Sequence, residues 1–333
     1  MRDAGISLNG TFCDLFAGTG SVGGHFKRLG MTVIANDLMT YSYVMNKAVV
    51  ELNGVPHFWQ AKSWFGLPSD APLSHLLDAI SDTAGTRGYI FENFSPSGKA
   101  GRQFFTDENG MKIDAIRELI DNWSKEKLIS SDEFIYLLAS LINAADHVAN
   151  MSGTYGAYLK IWRSVALKRL RLLPLDIFDN KLANLVFQEH GENLIHRISG
   201  DILYLDPPYN SRQYASNFHL LETLSVWDKQ DLRGVVGLRD YSGQKSAFSS
   251  KKSASDALRK IVAEAKFKHI VLSYNNEGII HRDEIVEILG SRGNLKEFST
   301  DYRRFRTERN HEKRKYKDVG DRVTEHLWIV SIE

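Results

Sequence analysis

The chain has 333 residues, 43% of them hydrophobic and 25% charged, which excludes a disordered or fibrous protein and fits a globular main domain carrying a sizeable insertion. A formal net charge of +1 excludes a globally cationic nucleic-acid binder, so any hold on a polyanion has to be local. The single cysteine, Cys13, excludes intrachain disulfides; with no signal-peptide pattern, and with the most apolar helical stretch (136–149) broken by Asn143 and Asp146, a cytoplasmic protein away from membranes is expected.

Residues 11–16 read as a buried strand, with Cys13 as a small core residue, and run straight into Ala17-Gly18-Thr19-Gly20-Ser21-Val22-Gly23. Glycines placed there let the backbone turn tightly and approach a ligand without a Cβ in the way. A second short strand over residues 32–36 ends in Asp37, an acid well placed to bind the hydroxyls of a ribose. The pattern is that of the nucleoside-binding half of a doubly wound α/β sheet. The spacing of Gly18, Gly20 and Gly23 also matches a dinucleotide fingerprint, so taken alone it leaves NAD and S-adenosylmethionine open.

Over residues 61–184 the strand signal fades and helical periodicity takes over. Ile113, Ile116, Ile120 and Trp123 form one apolar stripe, and Phe134, Leu137, Leu138, Leu141, Ile142 and Ala145 form another; both are expected in the core. Residues 93–103, polar, glycine-rich and basic, have the look of a loop, and Arg102 and Gln103 in it are of the types that read base edges. Tyr155, Tyr158, Lys160, Arg163, Lys168, Arg169 and Arg171 make a second aromatic and basic cluster.

The apolar run Ile202-Leu203-Tyr204-Leu205 delivers Asp206-Pro207-Pro208-Tyr209, and each of the four suits one reaction, methylation of an exocyclic amino group. The nitrogen on adenine C6 or cytosine C4 is a poor nucleophile because its lone pair is delocalised into the ring. If the Asp206 carboxylate and the Pro207 carbonyl both accept its N–H groups, the nitrogen moves toward tetrahedral geometry and its developing positive charge is stabilised. Asp206 is also placed to take the leaving proton. Consecutive prolines stiffen the turn and leave only carbonyls facing outward. Tyr209 offers a ring face for a base extruded from the duplex. A proline-stopped strand capped by Asp206 is the structural alternative for the same four residues. The company of the glycine loop, a nucleoside site with no evident hydride-transfer partner and an Asp-Pro-Pro-Tyr at another strand end, favours S-adenosylmethionine over NAD.

Residues 246–255, with Lys245, Lys251 and Lys252, are expected to form a flexible basic loop. Residues 269–272, 295–302 and 323–332 read as further strands. Between the last two lie Arg303, Arg304, Arg306, Arg309, Lys313, Arg314, Lys315 and Lys317, with Tyr302, Phe305 and Tyr316 among them. If the penultimate strand runs parallel to the others, this basic run leaves the carboxyl edge of the sheet, where ligands bind, and contacts DNA phosphates. A solvated hairpin tip is the alternative.

The sequence resembles the amino-group DNA methyltransferases, specifically the D12 class of adenine-N6 enzymes of bacterial restriction–modification systems. Residues 14–20 look like that family's donor-binding motif, Asn36-Asp37 like its ribose-binding acidic position, and Asp206-Pro207-Pro208-Tyr209 like its catalytic motif. Asn210-Ser211-Arg212-Gln213-Tyr214, residues 217–223 and Ser273-Tyr274-Asn275-Asn276-Glu277-Gly278 are similar to the subgroup that contains type IIS modification enzymes. Two departures stand out. Only residues 1–10 precede the first strand, where relatives carry a helical Gly-Ser/Asn-Lys segment over the donor. His190 stands where they commonly place an Asp near the donor adenine, with Glu189 beside it carrying that charge.

The resemblance implies a class I S-adenosylmethionine-dependent methyltransferase fold, an α/β Rossmann-like mixed sheet of seven strands. Residues 1–60 and 185–333 would form the catalytic domain, and 61–184 a helical target-recognition insertion. It implies a donor site of Asp14, Phe16, Gly18, Gly20, Asp37, Glu189 and His190, catalysis by Asp206, Pro207 and Tyr209, and DNA contacts from Arg102, Arg212, Arg303, Arg304, Arg306, Lys313, Arg314 and Lys315. The expected partners are DNA at a short specific site and a cognate restriction endonuclease. No metal-ligand cluster is evident. Cytosine-N4 or RNA adenine methylation, a decayed DNA-binding relative and an NAD-dependent oxidoreductase are the alternatives.

Overall fold

Seven strands form, β1 (Thr11–Asp14), β2 (Thr32–Asn36), β3 (Leu185–Phe187), β4 (Ser199–Leu205), β5 (Lys266–Asn275), β6 (Gly293–Arg303) and β7 (Arg322–Ile332), the first four short and the last three of ten or eleven residues. The computed structural model describes residues 5–303 and 322–332, with side chains described as far as 301 and again from 323. The strands pair in the order β3-β2-β1-β4-β5-β7-β6. The pairings of β1 to β5 are parallel, while β7 is antiparallel to both β5 and β6, so β6 runs parallel to the rest. This is the mixed seven-stranded sheet of the class I methyltransferase fold.

The element order is α1 (Ser21–Arg28) after β1, then α2 (Thr40–Asn46), α3 (Trp59–Trp64), α4 (Leu73–Asp82), α5 (Tyr89–Phe94), α6 (Asp107–Lys125) and α7 (Ser131–His147) between β2 and β3. There follow α8 (Gly191–Leu194) before β4, α9 (Tyr214–Asn217) and α10 (His219–Val226) after it, α11 (Ala254–Glu264) before β5, and α12 (Arg282–Gly290) before β6.

The chain divides into two compact units, a sheet unit of residues 1–38, 182–214 and 243–333 and a helical unit of Met39–Lys181 and Ala215–Ser242. The helical unit therefore begins at Met39 rather than at 61, and it takes in 28 residues that follow the Asp-Pro-Pro-Tyr turn. The reason is packing: Met39, Tyr41, Val44 and Met45 at one end, and Ala215, Leu220, Leu221 and Leu224 at the other, are buried in one cluster with the apolar stripes of α6 and α7. Both stripes are core as expected, with Phe134 partly buried and the other named members buried. Thr106 caps α6, and a capping box of Ser130 and Glu133 starts α7.

In the sheet unit, Cys13, Leu15, Ile34, Leu203, Leu205, Ile270 and Leu272 form a core with residues of α8, α11 and α12. β1 is flanked by a strand on each side, and its Phe12, Cys13 and Asp14 are all buried. It stops at Asp14, with one further ladder bond from the Leu15 amide to the Tyr204 carbonyl, 3.2 Å, before the chain turns away. The stretch 246–255 is an ordered turn rather than a flexible loop. Gln213 holds the Ser246 backbone from both sides (2.8 and 3.3 Å), and Phe248 is buried against Phe16. No helix among the described residues is long and apolar enough to cross a membrane.

Candidate active site

In an open α/β sheet the crevice lies where the strand order reverses, at the carboxyl ends of two neighbouring strands. Here those strands are β1 and β4, paired through Phe12–Ile202, Cys13–Leu203 and Asp14–Tyr204. The glycine loop leaves one, and Asp206-Pro207-Pro208-Tyr209 leaves the other. Sequence and topology thus bring both motifs to one edge, with Asp37 at the end of β2 on the far side of β1.

Gly18 and Gly20 have φ of +51° and +82°, the left-handed region that side chains resist, and nothing lies within 4 Å of where a Cβ on Gly18 would sit. The Ala17 amide donates to the Asn36 carbonyl (2.8 Å) and the Gly18 amide to Asp37 Oδ2 (2.9 Å), so the acidic residue also fixes the loop. Asn36, whose own part the sequence did not disclose, is buried and ties three segments together. Its Nδ2 donates to the carbonyls of Leu15 and Glu189 (3.0 Å each), and its Oδ1 accepts the Glu189 amide (3.2 Å). Gly191 packs so closely on Leu15 and Phe16 that a Cβ would come within 3.1 Å of Leu15 Cγ. His190 opens α8 with its carbonyl accepting the amides of Asn193 and Leu194, and its side chain makes no capping bond. Phe16, Glu189 and His190 are therefore beside the glycine loop. The Glu189 carboxylate, however, is already paired with Arg197, which offsets the charge expected to stand in for a missing Asp.

The electrostatics of this edge are acidic. Asp14 is 1% exposed, and burial, with Asp206 and Asp37 nearby, lifts its carboxyl to about 8 against the opposing effect of the Phe16 and Gly23 amides. Its Oδ1 has no hydrogen-bond partner. Asp206 keeps exposed surface, yet the protein around it and then Glu325 raise it to about 6. Tyr209 is raised by burial first and then by Glu325, Asp206 and Glu277. Its ring meets Tyr274 edge-on at 6.5 Å, and its carbonyl accepts the Ile279 amide at 2.9 Å, so its orientation is supported from the end of β5. Glu325 is a neighbour of this turn that only the strand pairing reveals, whereas Tyr274 belongs to the 273–278 stretch already singled out in the sequence. Pro207 is buried. With two backbone donors removed, this turn presents acceptors, the arrangement an amino group needs.

The residues expected to touch DNA separate. Arg212 is exposed, in a turn where its amide donates to Asn210 Oδ1 and its carbonyl accepts from Ser249. Arg102 is not free for that role: its guanidinium donates to the carbonyls of Asn93 (2.9 Å), Gly234 (3.0 Å) and Val235 (2.9 Å) and clamps a turn of the helical unit. Gln103 likewise donates to the Lys160 carbonyl. Arg304, Arg306, Lys313, Arg314 and Lys315 lie outside the described residues, as does the side chain of Arg303. The strand ends that lead into that run, Arg303 opposite Arg322, are at the carboxyl end of β6, as the topology argument expected.

Comparison with known proteins agrees with the geometry. The model of the D12 class N6 adenine-specific DNA methyltransferase family matches residues 5–288. The chain is 40% identical to the type II methyltransferase M.FokI of Planomicrobium okeanokoites, over 96% of this chain and 48% of that protein. It is 39% identical to the type II methyltransferase M.NlaIII of Neisseria lactamica, over 92% of this chain and 89% of the relative. To the modification methylase StsI of Streptococcus sanguinis it is 40% identical, over 87% of this chain and 42% of the relative. The chain thus spans about half the length of M.FokI and StsI and about nine-tenths of M.NlaIII. A methyl donor is therefore required, and the chain belongs to the D12 class of N6 adenine-specific DNA methyltransferases.

Proposed function

We propose that this chain transfers a methyl group from S-adenosylmethionine to N6 of an adenine turned out of a short, specific DNA site. The observation that carries the reading is the meeting of the glycine loop and Asp206-Pro207-Pro208-Tyr209 at the reversal point between β1 and β4.

The residues of this edge fit the donor. The clustering of Asp14 with Asp37 and Asp206, which helps to keep the buried Asp14 carboxyl protonated up to about 8, makes this an acidic edge that favours a positively charged ligand. When bound, the donor supplies a methyl group on an already activated sulfonium. Gly18 and Gly20 keep the approach open, Asp37 is placed for ribose hydroxyls, and Phe16 and His190 flank the loop. Asp206 and the Pro207 carbonyl accept the amino hydrogens and localise the nitrogen lone pair, and Tyr209 stacks on the base. With a carboxyl near 6, Asp206 is ionised at neutral pH and still basic enough to accept the departing proton.

Target recognition we assign to the helical unit, inserted between the donor and catalytic motifs, with the basic run 303–317 contacting phosphates. A cytoplasmic location and a restriction endonuclease acting at the same site complete the reading, the latter by analogy with relatives named modification methylases. The test is transfer of labelled methyl from S-adenosylmethionine to plasmid DNA, followed by digestion and nucleoside identification. N6-methyladenine is expected. N4-methylcytosine, or incorporation into RNA alone, would replace the substrate assignment, and no incorporation by folded protein would overturn it.

A further inference from the structure

From residue 156 to residue 175 the chain carries no acid and five exposed cations, Lys160, Arg163, Lys168, Arg169 and Arg171. In a chain whose net charge is +1, this is a strongly local excess. The stretch has neither helix nor strand, yet it is held at seven backbone points by buried polar side chains. Asn150 accepts the Arg163 amide (3.1 Å) and donates to the Leu159 carbonyl (2.9 Å). Asn109 of α6 donates to the Lys168 carbonyl (2.8 Å) and accepts the Leu170 amide (2.9 Å). Ser81 of α4 accepts the Leu172 amide, while Ser140 of α7 donates to the Leu173 carbonyl and Tyr136 accepts the Leu175 amide, each at 2.9 Å. These five side chains are all 2% exposed or less.

The consequence is an extended segment that is rigid without a strand partner. Alternation sends Leu170 and Leu172 into the core and leaves Arg169, Arg171 and Leu173 on the surface. Arg169 is steadied by Asp82 (3.0 Å) and Arg171 by Asp78 (3.1 Å), exposed pairs that a phosphate can displace at small cost. With Lys168 they line one cavity of about 540 Å³, together with Asn143 and His147 of α7. Asp146, also on the cavity, has its Oδ1 occupied by the Tyr155 hydroxyl at 2.8 Å. Lys160 and Lys168 make no ion pair among the described residues. Arg163 Nη1 already donates to the Met151 carbonyl (2.9 Å), which leaves Lys160, Lys168, Arg169 and Arg171 for a ligand. Setting these four on a fixed backbone suits a regularly charged, extended polyanion better than it suits solvent.

We propose that residues 160–171 of the helical unit form a phosphate track for duplex DNA, centred on the cavity lined by Lys168, Arg169 and Arg171. This rests on DNA being the substrate. The track supplies affinity rather than base reading, so its signature is dependence on salt.

The test is fluorescence anisotropy of the full chain with a labelled duplex of arbitrary sequence, titrated between about 50 and 200 mM KCl, where phosphate contacts dominate. Lys160→Ala/Lys168→Ala should lower the slope of log Kd against log salt by about 2, one unit per lysine. Lys168→Arg should restore about one unit of that loss, while S-adenosylmethionine binding and the melting temperature stay as in the wild type. Unchanged affinity and slope in the double variant overturn the track, and so does a loss confined to one DNA sequence with the slope intact. A wild type that methylates DNA beside an unaffected double variant sinks the track alone. A wild type that binds no duplex sinks both the track and the function on which it rests.

Discussion

Both units bury carboxylates, and the difference lies in what those carboxylates touch. In the helical unit Asp114 accepts the amides of Gly88 (3.1 Å), Ile90 (2.8 Å) and Phe91 (2.8 Å), and so caps α5. Glu222 accepts the amides of Thr40 and Tyr41 at 3.0 Å each and caps α2. In the sheet unit buried Asp14 keeps an unpartnered oxygen, and Asp206, which is open to solvent, accepts no hydrogen bond from the protein among the described residues. Asp114 and Asp206 both sit near 6, so proton affinity does not separate them. Hydrogen-bond accounting does: the acids of the helical unit are spent on backbone amides and hold helices, whereas those of the sheet edge keep acceptor oxygens that no protein group uses.

The sharpest way to break this contrast is to neutralise one acid of each kind. Asp206→Asn removes the acceptor for the departing proton and should cut kcat on the order of 10²–10⁴-fold. Thermal stability should hold, since no internal bond is lost, and the donor should still bind, since Asp37 and Asp14 remain at the edge. In the wild type kcat should rise as pH passes about 6 and then level off. Turnover near the wild-type value in the variant, measured by labelled methyl incorporation, would remove Asp206 from catalysis. Asp114→Ala should do the reverse. It strands three backbone amides in the interior and should cost roughly 2–4 kcal/mol in urea unfolding, with kcat per folded molecule unchanged. A midpoint that does not move would mean the cap is not structural.

The contrast also fixes the sign of a pH effect. The Asp14 carboxyl stands at about 8 in the fold against about 3.9 in an unfolded chain, so the folded state holds a proton that the unfolded state gives up. The stability this contributes is fully present below about 3.9 and is lost as pH rises through about 8. Linkage at about 1.4 kcal/mol per pH unit predicts a decline of roughly 2 kcal/mol between about pH 6 and pH 8. Asp14→Asn, a neutral isostere, should flatten that decline when the two proteins are melted in parallel without donor. Parallel slopes would show that Asp14 is ionised throughout.

How much of this was legible before the structure follows from the range of the interactions involved. The glycine loop, Asp37 and Asp206 are each announced by a short apolar run that ends on a distinctive residue, and the stripes of α6 and α7 repeat often enough to be read. β3 has three residues, none of them buried, and leaves no periodic signal. The unit boundary at Met39 was hidden because a helical stripe does not say which core it joins. Arg102 was legible as a cation, but two of the three carbonyls it binds lie 132 and 133 positions along the chain. Residues 246–255 looked mobile by composition, whereas Phe248 and a tether from Gln213 hold them.

The smallest expected effect tests the weakest of the site assignments. Glu189 has the charge to serve a donor adenine or ribose, and its backbone is held against Asn36 in the right neighbourhood. Its carboxylate, though, pairs with Arg197, which is more than half exposed. An ion pair open to solvent contributes little, and its loss should cost less than about 0.5 kcal/mol of stability. If that pairing is the carboxylate's whole function, Glu189→Gln should leave the S-adenosylmethionine Kd within about two-fold of wild type, because each 1.4 kcal/mol is a factor of ten. A ten-fold or greater weakening by calorimetry would mean that the side chain leaves Arg197 when the donor arrives. Arg197→Ala separates the two cases further: it should tighten donor binding if Arg197 competes for the carboxylate, and change nothing if the acid never turns inward.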